Sequence, residues 1–152
     1  GDQYKSSRKV IHMLTDIISK NGNLLLNVGP GPDGEWDSLA YNRLEAIGKW
    51  MKTNGEAVYE SEADPNLPRQ GKWAFTRKGT DVYAIYQVAE NEMIENSLSV
   101  NLPAGVKVKS VSVIGGPQKV KFTQNGGQVV LFTTDKSIVK QTEALVFKLV
   151  TE

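Results

Sequence analysis

The 152-residue sequence contains no cysteine and a single histidine, and each scarcity excludes classes of site. Without cysteine, the chain has no disulfide scaffold, no thiolate zinc site and no cysteine nucleophile. One histidine, His12, leaves no room for a multi-histidine metal site. No apolar run approaches the roughly 20 residues that a membrane-spanning helix needs. We therefore expect no metal, no cofactor and no membrane partner.

Net charge is also nearly absent, because 18 basic residues are balanced by 17 acidic ones. This balance gives no overall argument for a nucleic-acid partner. The two halves differ, however: residues 1–64 hold 7 basic and 10 acidic residues, whereas 65–152 hold 11 and 7. Two prolines and a glycine between them are typical of a linker. We therefore divide the chain into a first unit at 1–60, a linker at 61–71 and a second unit at 72–152.

The first unit has the pattern helix, strand, helix. Apolar residues recur every three or four positions from 7 to 20 and again from 38 to 54, which predicts two helices. Ser6 or Ser7 is a suitable N-cap for the first helix, and Gly22 can adopt a left-handed conformation at its end. The nearly continuous apolar run 23–28 predicts a strand buried on both faces, as in a parallel sheet. Such a strand needs neighbours that the chain does not supply, so this unit is predicted to be the tail of a larger domain.

The second unit has the pattern of about seven strands and no helix. Residues 73–78 and 81–88, joined by Gly79-Thr80, predict a hairpin. Valines change phase around Lys109-Ser110, which indicates a β-bulge. Turn signals every 8–12 residues favour an antiparallel sandwich over a barrel.

The segment SKNGNLLLNVGPGPDG at residues 19–34 strongly resembles the α-L-fucosidases of glycoside hydrolase family 29. The similarity runs from about Ser7 to Tyr59 and continues more weakly into the second unit. The resemblance implies an α+β chain: the last helix-strand-helix of a (β/α)8-like barrel, followed by an antiparallel β-sandwich.

The resemblance also implies an activity, the hydrolysis of terminal α-L-fucose from fucosylated glycans with retention of configuration. This chemistry requires two carboxyl groups about 5–5.5 Å apart, a nucleophile and an acid/base. By the family's layout, the nucleophilic Asp and the acid/base Glu lie upstream of Gly1. We therefore expect no catalytic residue in this chain, and we expect the chain alone to be inactive. The family is generally exported, so a secreted, periplasmic or lysosomal location is expected.

Asn27 and Trp36 are the candidate substrate-binding residues. Asn27 lies at the end of the predicted strand, where barrel residues face the active-site mouth. Its amide can bind sugar hydroxyls, or it can instead brace the following loop. Trp36 follows on the same rim and can stack on a sugar ring or anchor the loop. Family members often carry a proline or an aliphatic residue near this position, so Trp36 departs from the family's pattern.

Three other features of the first unit have simpler interpretations. The glycine-rich segment 29–34 lacks the spacing and the lysine of a phosphate-binding loop, and we interpret it as a tight turn. Carboxylates at 33, 35 and 37 miss the calcium-loop spacing and favour the start of a helix. His12 and Asp16, four residues apart, predict an ion pair on the helix surface.

The second unit offers a runner-up function, a non-catalytic carbohydrate-binding or structural module. Its aromatic residues can form a sugar platform, although a core position is the commoner role. Four alternating lysines can meet an acidic glycan, although lysines also protect sheet edges from aggregation. Self-association through exposed barrel elements is a further expectation, because the run 24–28 is apolar. The aromatic residues are Trp73, Phe75, Tyr83 and Tyr86, and the lysines are Lys107, Lys109, Lys119 and Lys121.

Overall fold

The computed structural model describes residues 5–24, 32–35, 38–115, 119–137, 139 and 142–152. Two helices come first and seven strands follow, as the patterns predict. No helix in this part of the chain is long and apolar enough to cross a membrane. The elements are α1 (Ser7–Ile18), α2 (Ser38–Asn54), a 3₁₀ turn (Gly55–Ala57), β1 (Trp73–Lys78), β2 (Asp81–Gln87), β3 (Ser97–Asn101), β4 (Val108–Val113), β5 (Phe122–Asn125), β6 (Gln128–Phe132) and β7 (Ala144–Thr151).

Helix α1 begins as predicted and ends differently. The Ser6 hydroxyl accepts a hydrogen bond from the Lys9 backbone N–H at 3.1 Å, which confirms the cap. At the other end Asn21, not Gly22, takes the left-handed conformation, with φ of 59°. Asparagine tolerates this region because its short amide side chain can bond locally. The Gly22 N–H then donates to the Ile17 carbonyl, and a Cβ on Gly22 would lie 2.7 Å from the Ile17 side chain. A glycine at position 22 is therefore required because its backbone lies close to Ile17, and not because of a left-handed conformation.

The seven strands form two antiparallel sheets, so the prediction of a sandwich is confirmed. The first sheet has the order β1-β2-β7-β4, and the second has the order β3-β6-β5. Strands β1 and β2 pair from Trp73–Tyr86 to Lys78–Asp81, which is the predicted hairpin. The register of β4 on β7 shifts between Val108 and Ser110, which is the predicted bulge.

The main hydrophobic core lies between the two sheets. Alternate residues of each strand point into it, as the period of two requires. From the central strand β7, Leu145, Phe147 and Leu149 enter this core, and Leu98 and Leu131 meet them from the second sheet.

A second core lies on the opposite face of the first sheet, where the helices pack. Strand β7 contributes Ala144 and Val146, while α1 contributes Ile11 and α2 contributes Trp50. The Trp50 indole N–H donates to the Ala144 carbonyl at 3.0 Å. The described residues therefore form three layers, with the first sheet covered on both faces.

The segment predicted as a linker packs against the sheets. The backbones of Glu62 and Arg77 bond to each other at 2.9 and 2.8 Å, and Leu67 is 3% exposed in the core between the sheets. The Arg77 guanidinium also pairs with Asp64 at 2.7 Å. The boundaries at 1–60, 61–71 and 72–152 stay a prediction.

Candidate functional site

The two predicted substrate-binding residues, Asn27 and Trp36, lie outside the described residues. Most of the predicted strand 23–28 also lies outside them. Asn23 and Leu24, the described residues that precede Asn27, follow the end of α1 and belong to no helix or strand. The roles of Asn27 and Trp36 therefore stay predictions from the sequence.

The described part of the loop before α2 is a turn. The Asp33 carboxylate accepts the Glu35 backbone N–H at 3.1 Å, and Gly34 has φ of 82°. A side-chain oxygen that bonds the backbone two residues later is typical of aspartate in turns. Among the described residues, no group of three or more acidic or histidine side chains is placed to hold a metal ion.

A surface groove of about 430 Å³ lies between α1 and the first sheet. The His12 Nε2 atom bonds to the Glu143 carbonyl at 2.7 Å, so the predicted ion pair with Asp16 is wrong. The Arg8 guanidinium donates to the Val88 carbonyl at 2.6 Å. Both side chains therefore bind α1 to the strand ends instead of facing a ligand. The groove is lined by Ser6, Arg8, Lys9, His12, Met13, Asp16, Lys72, Gln87 and Ala89.

Gln87 lies in this contact between the helix and the sheet, and both ends of its side-chain amide form hydrogen bonds. Its amide N–H groups donate to the Thr15 hydroxyl at 2.9 Å and to the His12 carbonyl at 3.1 Å. Its carbonyl accepts from Arg69 at 2.9 Å, and Arg69 also pairs with Asp16. Sequence patterns did not identify Gln87, because a glutamine at a strand end has no signature of burial. The residue is 7% exposed.

A second polar cluster joins the 3₁₀ turn after α2 to the first sheet. The Tyr83 hydroxyl donates to the Glu56 carboxylate at 2.6 Å, and the Lys148 ammonium lies 2.7 Å from the same oxygen. The hydrogen bonds from Lys148 and Tyr83 lower the pKa of Glu56. Burial, and then the bond to Glu56, raise the pKa of Tyr83. The bond to Glu56 likewise raises the pKa of Lys148.

This cluster predicts a pH dependence of stability. Because the pKa of Glu56 is lower in the folded chain, its contribution is present above pH 4.5 and is lost as the pH falls through the folded pKa. We expect Glu56→Gln to lower the free energy of unfolding by about 0.5 kcal/mol at pH 7, since the pair is partly exposed and screened. The difference from the wild type should decrease as the pH is lowered below 4.5, which urea titrations at several pH values can measure.

The matched control is Glu45→Gln, which removes an exposed carboxylate 3.6 Å from Lys49 on α2. An exposed pair of this kind contributes little. A difference for Glu56→Gln that is equally large at pH 3 and pH 7 would contradict the assignment of the effect to the charged carboxylate.

The aromatic residues of the hairpin do not form a sugar platform. Trp73 is 6% exposed, Phe75 0% and Tyr83 1%. The Trp73 indole N–H donates to the Ser99 carbonyl at 3.0 Å across the two sheets. The core interpretation is therefore the correct one for these residues. Tyr86, which is half-buried, packs edge-on against Trp73, with ring centroids 5.0 Å apart.

Comparisons with known proteins converge on one family. The family model described as α-L-fucosidase matches residues 1–56. Tissue α-L-fucosidase of Rattus norvegicus is 32% identical over 128 residues, which cover 82% of this chain and 27% of the rat protein. The similarity therefore includes both the helical part and the sheets.

The solved structures agree with the sequence comparisons. The α-fucosidase of Thermotoga maritima superposes with a TM-score of 0.80 at 25% identity, covering 99% of this chain and 36% of that one. Isoenzyme 1 of Paenibacillus thiaminolyticus gives 0.82 at 25% identity, with 98% and 35% covered. The chain thus spans about a quarter of the curated relatives and about a third of the solved enzymes. The chain belongs to the α-L-fucosidase family, glycoside hydrolase family 29, and corresponds to the C-terminal part of its members.

Proposed function

We propose that this chain is the C-terminal part of an exo-acting retaining α-L-fucosidase, which removes terminal α-L-fucose from glycans. The observation that carries the proposal is that members of one family match both the helical part and the sandwich of this chain. The 32% identity to the rat enzyme and the superposition on the Thermotoga maritima enzyme extend over helices and sandwich alike. An isolated sandwich module would give no reason for α1 and α2 to cover the first sheet.

Within such an enzyme, the described part of the chain has a supporting role. Its polar clusters, the buried Gln87 and the partly exposed Glu56–Tyr83–Lys148 group, bond to other residues of the same chain. Retaining hydrolysis needs two carboxyl groups about 5–5.5 Å apart with sugar between them. The carboxylates of Glu56 and Asp64 are instead held in ion pairs with Lys148 and Arg77. We therefore propose that the catalytic carboxylates lie outside this sequence and that the chain alone is inactive.

Release of 4-nitrophenol from 4-nitrophenyl α-L-fucoside tests both parts of the proposal. We expect no release by the 152-residue chain. We expect activity from a polypeptide extended upstream of Gly1, in the same reading frame, through the barrel. The corresponding β-L-fucoside is the control substrate and should not be cleaved.

Two outcomes of this assay would count against the proposal. Turnover by the isolated chain, at a rate above that of buffer, would show that the chain holds its own catalytic groups. A folded extended polypeptide that leaves the α-L-fucoside intact would contradict the fucosidase assignment.

Three accompanying statements stay predictions. Contact of Asn27 and Trp36 with fucose rests on their sequence positions, Asn27 within the block at 19–34 and Trp36 two residues after it. Self-association through exposed barrel elements draws some support from α2, where the side chain of Leu39 is 44% exposed. An exported location rests on the family resemblance.

A further inference from the structure

One edge of the sandwich carries positive charge without any acidic residue along the same stretch of chain. Between Glu95 and Asp135 the sequence has four lysines, no arginine and no acidic residue. The four side chains are all exposed. We call them the lysine edge: Lys107, Lys109, Lys119 and Lys121.

The fold brings these lysines together where the two sheets meet. Strands β4 and β5 are the edge strands of the first and second sheet. Lys119 forms a bridge with Ser112 of β4, and the Val120 N–H donates to the Val111 carbonyl at 2.8 Å. The Gln124 side chain also bonds to Val108 N and Val106 O, at 2.9 and 2.7 Å. The chain segments that carry the lysine edge are therefore neighbours where the two sheets meet.

The alternation of side chains places Lys119 and Lys121 on the outer side of the junction between the two sheets. Val120 between them is 5% exposed, and Phe122 after them packs against the core. Side chains alternate along an extended backbone, so both lysines project outward, about 6.5–7 Å apart along the chain. The backbone carbonyl of Lys121 accepts the Phe132 N–H at 2.9 Å, so Lys121 adjoins Phe132, whose ring is 42% exposed. An apolar ring thus lies on the strand that is hydrogen-bonded to Lys121.

Among the described residues, the lysine edge differs from the surfaces around Lys72 and Lys148 in having no carboxylate partner. Elsewhere Lys72 pairs with Glu92 and Lys148 pairs with Glu56. Within the described ranges, none of the four edge lysines lies within 4 Å of a carboxylate oxygen. The terminal Glu152 is close in one place, where its backbone N–H donates to the Lys107 carbonyl. The unpaired charge is accordingly clearest at Lys119 and Lys121.

We propose that the lysine edge docks a sulfated polysaccharide. Charge complementarity carries the choice of an anionic ligand, because the 39 residues between Glu95 and Asp135 contain four lysines and no acidic residue. Lysine acts as a point charge and does not need the bidentate geometry of the arginine fork, so sulfate esters spaced along a sugar chain can satisfy these four cations. An exposed ring next to Lys121 is suited to stack on the apolar face of a sugar.

A carbohydrate ligand also agrees with the proposed fucosidase function, and the choice of sugar over nucleic acid rests on that function. Docking of a sulfated chain would hold the enzyme on polymeric substrate while the catalytic domain acts on terminal sugars. Protection of the sheet edge against aggregation, the other role of edge lysines, predicts no affinity for a polysaccharide. Binding and edge protection are therefore separable.

Binding of dextran sulfate to the 152-residue chain, measured by titration calorimetry at 0.1 M salt, tests the proposal. We expect saturable binding that weakens with added salt, and no binding of unsulfated dextran of the same length. The double variant Lys119→Gln/Lys121→Gln should bind dextran sulfate about tenfold more weakly, because each lysine contributes a direct contact with an anionic surface.

The matched control removes the same net charge elsewhere. Lys20 and Lys52 are exposed, and neither forms an ion pair with a described residue. Lys20→Gln/Lys52→Gln should therefore change the affinity less than about twofold, if the contact is local rather than a net-charge effect. Circular dichroism and the thermal midpoint of each variant verify that the fold is retained.

Several results would overturn the proposal. Equal weakening by the two double variants would make the binding a net-charge effect. Absence of binding to dextran sulfate, or equal binding of unsulfated dextran, would reject the sulfate contact. Single-stranded DNA bound as tightly at equal charge would point to nucleic acid instead. None of these results involves hydrolysis of a fucoside, so they leave the proposed function to its own assay.

Discussion

Replacing Phe147 by alanine is expected to lower the free energy of unfolding by about 3–5 kcal/mol. Phe147 is 0% exposed, and its ring centroid lies 5.8 Å from that of Trp73 in the core between the sheets. The ring comes from β7, an interior strand of the first sheet, so its neighbours are fixed by strands on both sides. A cavity left there cannot collapse easily. Since whole domains are stable by about 5–15 kcal/mol, this one change should shift the urea midpoint strongly.

The same substitution at Phe132 is the control. Phe132 lies on β6 at the outer surface of the second sheet and is 42% exposed. Phe132→Ala should cost less than about 1 kcal/mol, because an exposed ring loses little buried area. Similar losses at the two positions would contradict the placement of Phe147 between the sheets.

Replacing Trp50 by alanine is expected to lower the free energy of unfolding by about 3–5 kcal/mol and to loosen the helical layer. Trp50 is 3% exposed and packs with Ile11 of α1 against the first sheet. The substitution also leaves the Ala144 carbonyl without the donor that reaches it at 3.0 Å. Hydrogen exchange of backbone amides should increase more in α1 and α2 than in β3, β5 and β6. These three strands form the second sheet, on the far side of the first sheet from Trp50.

Two further variants divide the Trp50 effect into packing and hydrogen bonding. Trp50→Phe keeps an aromatic ring and removes the donor, so it should lose about 1–3 kcal/mol. Leu39→Ala on the same helix, at a side chain 44% exposed, should lose less than about 1 kcal/mol. If the free energy of unfolding of Trp50→Ala were within about 1 kcal/mol of the wild-type value, the packing of the helices on the first sheet through Trp50 would be contradicted.

Local sequence signals predicted most of the individual elements. The hydrophobic period located α2 at 38–54, the bounds that the structure has, and Gly79-Thr80 marked the turn between β1 and β2. The phase change of the valines located the bulge near Lys109. These signals succeed because capping, alternation and turn geometry depend on a few neighbouring residues.

Long-range partners could not be predicted in the same way. Nothing local indicates that the Gln87 amide reaches Thr15, 72 residues away, or that His12 bonds to Glu143 instead of Asp16. Likewise, Glu56, Tyr83 and Lys148 are far apart in the chain and meet only because β2 and β7 are adjacent. For the candidate site, the sequence supplied Asn27 and Trp36, and the described structure adds no test of either.

By itself, the sequence determined the antiparallel sandwich, the two helices and, through the block at 19–34, the enzyme family. Each of these features can be recognised from short patterns of neighbouring residues, without knowledge of the whole fold. Only the tertiary structure decided that the first sheet is covered on both faces. The apolar run of β7 reads as one buried strand, but its even and odd residues enter two different cores, and that division requires the helices to be in place. The sequence suggested that four lysines alternate along two adjacent strands, and the structure supplies the contact between the two segments, the bridge between Ser112 and Lys119.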